Sequence, residues 1–92
     1  MATVTVESSG PGEFRVRVRE GGNETTHVVA VADADYLRLT AGRIPPDELV
    51  RRSFEFLLER EPKESILSRF GLHIIARYFP EYEDEMRRRL AG

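Results

Sequence analysis

Residues 46–60 read PDELVRRSFEFLLER, and the fold turns on what this stretch becomes. Pro46 suits the first position of a helix, and Asp47 and Glu48 place negative charge where the helix dipole favours it. Stepping about 100° per residue from Leu49 at zero, Phe56 falls near 340°, Leu57 near 80°, Val50 near 100°, Phe54 near 140° and Leu58 near 180°. Arg51, Arg52, Glu55 and Glu59 crowd the remaining sector. The apolar arc is about 200° wide, roughly twice what suits a helix lying on a single core. Either the helix is enclosed from two sides within its own domain, or one flank, Phe56 with Leu49, meets a second copy of the chain or a partner.

Upstream, the chain alternates with period two, as a half-buried sheet requires. Val4 and Val6 share one face over Thr3 to Glu7. Phe14, Val16 and Val18 alternate with Arg15, Arg17 and Arg19. Gly21, Gly22 and Asn23 tolerate positive φ and form a hairpin turn, after which Thr25 to Val31 returns. Ser8 to Gly12, SSGPG, reads as a loop. Three antiparallel strands with one greasy face result, and such a sheet needs a cover.

Downstream, Asp33 reads as the N-cap of a short helix ending near Gly42, and Ile44 as a staple against Leu49. Glu61-Pro62 ends the main helix. A helix carrying Ile66, Leu67 and Phe70 is expected up to Gly71, then a short piece with Ile74, Ile75, Tyr78 and Phe79 closed by Pro80. The last helix places Tyr82, Met86 and Leu90 on one stripe, acids first and arginines last. The expected architecture is α+β: a three-stranded antiparallel meander over residues 1–31 and a bundle of three to four helices over 32–92, two layers in one domain.

The chain has 92 residues, no cysteine and a formal net charge of −2. Residues 1–45 hold six acids against five bases, and residues 46–92 ten against nine. Without cysteine, disulfides and thiolate metal sites are excluded. MATVTVESSG lacks the basic and apolar regions of a signal peptide, and no apolar run approaches the 18 or so residues that span a bilayer. A cytoplasmic protein with no membrane contact is expected.

Few residues point to chemistry. His27 and His73 are the two histidines and lie far from any HExxH spacing, so no metal site is expected. Asp33-Ala34-Asp35 could hold a divalent cation, but an N-cap already accounts for Asp33. SSGPG lacks the Lys-Ser/Thr of a phosphate loop. No nucleophile–base pair is visible, so neither catalytic residues nor a cofactor are assigned and an enzyme is not expected.

Arg15, Arg17 and Arg19 stand roughly 6.5–7 Å apart on one strand face and could grip phosphates. Balanced net charge and the neighbouring Glu7, Glu20 and Glu24 disfavour nucleic acid as a partner. Lys63 to Phe79 has the outline of a helix-turn-helix, yet Leu67 is bulky where the helices must meet, and Pro80 cuts the second helix too short to read a groove.

Residues 48–67, ELVRRSFEFLLEREPKESIL, and 75–83, IARYFPEYE, resemble a small family of uncharacterised bacterial proteins, over roughly Val28 to Met86. The resemblance implies a bacterial, cytoplasmic, stand-alone protein and carries no activity or ligand. The function expected is a non-catalytic protein-interaction or regulatory module that forms a homodimer. Its contact residues would be Leu49, Phe56, Leu58, Tyr78, Phe79 and Tyr82. The alternative is a nucleic-acid-binding regulator of antitoxin type using the arginine face.

Overall fold

The computed structural model describes residues 2–91. Three strands, β1 (Thr3–Gly10), β2 (Glu13–Glu20) and β3 (Asn23–Ala30), form an antiparallel meander. Two helices follow, α1 (Asp33–Thr40) and α2 (Pro46–Leu58). The chain then returns to the sheet as β4 (Arg69–Gly71), passes through a short helix α3 (Ile75–Tyr78) and ends in α4 (Tyr82–Ala91). The protein is α+β, but the sheet is four-stranded and mixed, in the order β1-β2-β3-β4.

That fourth strand corrects the expected three-stranded meander. Ile66, Leu67 and Phe70 have helical spacing, yet only a single 3-10 turn forms, at Lys63–Ser65. Arg69–Gly71 then pairs parallel to β3, with Phe70 opposite Val29. The Val28 N–H donates to the Ser68 carbonyl at 2.8 Å. Open backbone groups on β3 outweigh a weak local helix signal. The helix-turn-helix outline disappears with it, since its first helix is replaced by a 3-10 turn and a strand.

Two boundaries also differ. β1 runs on through Ser8–Gly10, with an irregular register there, so that only Pro11-Gly12 turns. Ala32, not Asp33, is the N-cap residue of α1, and it caps without a side chain. Ile44 is partly buried against the core, and its carbonyl accepts the Tyr36 hydroxyl.

The helices cover one sheet face. Phe14, Val16, Val18, Val29 and Phe70 point into the core, whereas Arg15, Arg17, Arg19 and Arg69 stand on the exposed face. α2 lies across β1 and β2, with α4 packed against its other side and against α1. Leu49, Val50, Phe54, Phe56 and Leu57 are all buried, so the wide apolar arc of α2 is satisfied from both sides within one chain. His27 also faces inward. Its Nδ1 lies 2.7 Å from the Leu67 carbonyl and its Nε2 2.9 Å from Thr25 Oγ1, with its ring against Phe54.

Candidate functional site: an apolar cleft beside β4

Where α2 ends, the chain turns away at Glu61-Pro62 and returns as β4 and α3. These segments cannot close over one another, and a cleft of about 160 Å³ remains. Its floor is Leu57, Ile66, Phe70 and Ile75, and its rim is Leu67, Ile74, Tyr78 and Phe79, with Glu61 and Ser65 as polar neighbours. Among the described residues, the large apolar side chains left most exposed are Leu37 (57%), Leu67 (48%) and Tyr78 (66%). Two of these three stand on this rim. A cleft of this size accepts one aromatic ring or branched aliphatic group, since a dry cavity of about 150 Å³ holds benzene.

The six expected contact residues separate into three groups. Leu49, Phe56 and Tyr82 are enclosed by their own chain, which removes them from any contact surface. Phe56 meets Phe79 edge-on at 6.0 Å and Tyr82 at 5.3 Å, and the Arg60 guanidinium lies 3.6 Å from its ring centroid. Arg60 is held there by Glu81 at 2.9 Å. Tyr78 and Phe79 do meet, on the rim of the cleft. Leu58 is half-buried and lies apart, lining a second, shallow cleft with Val4, Arg51 and Glu55.

Leu67 and Ile74 are the rim residues that sequence reasoning missed. For Leu67 the signal is its bulk at the expected helix contact: in the structure it lies beside Ile66 and Phe70 on the cleft and stays 48% exposed.

The arginine face is paired across strands. Arg17 lies 3.5 Å from Glu7 and Arg19 3.2 Å from Glu24. Arg15 sits opposite Glu7 in the ladder. Asp35 is engaged by Arg38 at 2.9 Å, and Arg38 also grips Glu83 with two hydrogen bonds, tying α1 to α4. Among the described residues, no three His, Asp or Glu side chains converge as metal ligands would. No described helix is long and apolar enough to cross a membrane.

Compared with protein families, curated proteins and solved structures, the chain matches none of them.

Proposed function

We propose that this chain is a non-catalytic protein-interaction module that self-associates, and that its partner-binding surface is the cleft rimmed by Leu67 and Tyr78. One observation carries the reading: of the three large apolar side chains most exposed among the described residues, two border the same apolar depression. Polar surface around such a patch is what interaction sites present. The occupant is a single bulky apolar side chain from a partner protein, matched to the cleft volume, with Glu61 favouring a neighbouring basic residue. A bacterial, cytoplasmic setting fits this role.

N-acetyl-tryptophanamide, titrated while backbone amide resonances are followed, provides the test. Shifts should cluster at Leu57, Ile74 and Tyr78, and Leu67→Glu should abolish them. A titration to millimolar ligand that moves none of these signals refutes the cleft as a binding site. Light scattering should give a mass that rises with concentration. Binding to random duplex that weakens steeply with salt would favour the nucleic-acid alternative instead.

A further inference from the structure

Self-association needs a surface, and the sheet supplies one at the edge away from the cleft. β1 is an outer strand, and no described residue pairs with its far side. Which backbone groups are left open follows from the hairpins. Gly21 and Gly22 have φ of 60° and 85°, so Glu20 and Asn23 close a two-residue turn and form a hydrogen-bonded pair. Hydrogen-bonded and non-bonded pairs then alternate along the ladder. Arg15, Arg17 and Arg19 therefore direct their N–H and C=O groups to Glu7, Thr5 and Thr3 of β1. The Val28 bond to Ser68 fits the same alternation on the other side of the sheet. What remains open on β1 is the backbone of Val4, Val6 and Ser8.

We propose that two copies of this chain join through β1 in an antiparallel pair centred on Thr5, giving one continuous sheet. This rests on the self-association in the proposed function and assigns its surface.

The register follows from pairing rules. Directly opposite residues share a face, so apolar positions must meet apolar ones. Centring on Thr5 sets Val4 against the second copy's Val6 as hydrogen-bonded pairs, and Thr5 against Thr5. Centring on Glu7 would oppose two glutamates, which is unfavourable. Centring on Val6 would leave each Val4 against a serine.

Three further observations favour this edge. Val4 and Val6 are only partly buried although they point to the core side. Natural edges are blunted by lysine, proline or a bulge. Here the irregularity lies at Ser8–Gly10, and Thr3–Glu7 contains neither lysine nor proline. Finally, Val4 lines the shallow cleft with Leu58, Arg51 and Glu55, so the flank of α2 beside the edge carries both charge signs and a half-covered leucine. Arg51 and Glu55 already pair at 2.7 Å within one chain, so two α2 helices brought together by the two-fold meet without a field of one sign between them.

The decisive substitution is Thr5→Glu. In one chain the new carboxylate sits opposite Arg17 on the exposed face, so the fold is kept. In the dimer two glutamates meet at the two-fold. Val6→Pro is the second variant, since it removes an N–H that the single chain does not use. Sedimentation equilibrium of the wild-type protein should show a monomer–dimer equilibrium, and both variants should weaken it at least about tenfold. Amide exchange at Val4 and Val6 should slow as wild-type concentration rises. If wild type dimerises but neither variant changes the dissociation constant, the edge is not the interface while self-association stands. If Leu67→Glu dissociates the dimer and Thr5→Glu does not, the cleft is the contact and this assignment falls. If wild type is monomeric at every concentration, self-association itself is refuted.

Discussion

The Tyr82 hydroxyl lies 2.7 Å from Ser53 Oγ, and that serine lies 2.8 Å from the Leu49 carbonyl. The serine has one proton, and the Leu49 carbonyl can only accept, so Ser53 donates to it and Tyr82 donates to Ser53. The chain of two bonds joins α2 to α4 through the middle of the core. Ser53→Ala leaves a buried phenol without an acceptor and should cost about 1–3 kcal/mol in urea unfolding. Tyr82→Phe removes the phenol and leaves Ser53 its bond to Leu49, so it should cost less, about 0.5–1.5 kcal/mol. The reverse order would refute the donor assignment.

Burial pushes the Tyr82 phenol well above its ordinary value. The folded state therefore holds this proton more tightly than the unfolded chain, whose tyrosines titrate near 10. The resulting stability is complete below about pH 10 and is lost as pH rises further, toward the folded value. In an ultraviolet titration, Tyr82 should ionise only together with alkaline unfolding. Ionisation of all three tyrosines with the fold intact would show that Tyr82 is not sealed.

Phe56 is enclosed by Phe79, Tyr82 and Arg60, so Phe56→Glu places a charge where water cannot follow. The expected product is an unfolded or aggregated chain, not a folded monomer, visible as collapsed amide dispersion. Leu57→Ala should cost about 2–5 kcal/mol, as deletions of buried leucine do. A loss under about 0.5 kcal/mol would contradict its place beneath the cleft.

Arg51, and next Arg52, hold the Glu48 carboxyl below the usual carboxylate range through hydrogen bonds. Arg52 Nε approaches it to 2.9 Å, and Arg51 also reaches Glu55 at 2.7 Å. Because the folded pKa is lowered, this contribution is present above the unfolded value of about 4.3 and fades as pH falls through the folded one. Glu48→Gln should cost under about 1 kcal/mol at neutral pH, given partial solvent exposure. The gap from wild type should narrow as pH falls below the unfolded value of about 4.3. A gap that widens on acidification would have the wrong sign for this pairing.

The strands β2 and β3 and the helices α2 and α4 were legible because their patterns are local and long. Phe14, Val16 and Val18 alternate cleanly, and Tyr82, Met86 and Leu90 keep helical spacing. β4 was not legible, for a physical reason. Three residues cannot display an alternation, and Arg69–Gly71 is extended only because β3 offers it partners. The width of the apolar arc on α2 was read correctly from the sequence. Its consequence was not, because angles around one helix do not reveal that Phe79, Tyr82 and Arg60 converge on Phe56. The cleft was half legible: Tyr78 and Phe79 were singled out, but its remaining walls are Leu57 and residues 61–75, brought together only by the return to the sheet.

The parallel seam between β3 and β4 gives the molecule a weak side. The two hairpins close over short loops and should form early, whereas His27 finds the Leu67 carbonyl 40 residues further along the chain. A three-residue strand at the end of so long an excursion should detach before the hairpins do. The Val28 amide, bonded to Ser68, should then exchange with solvent faster than the amides of Val16 and Val18. Equal protection at all three would mean that the sheet opens as one unit. Since Phe70 paves the cleft, the cleft should be laid last in folding and lifted first under stress, and an occupant there would act as a rivet for the seam.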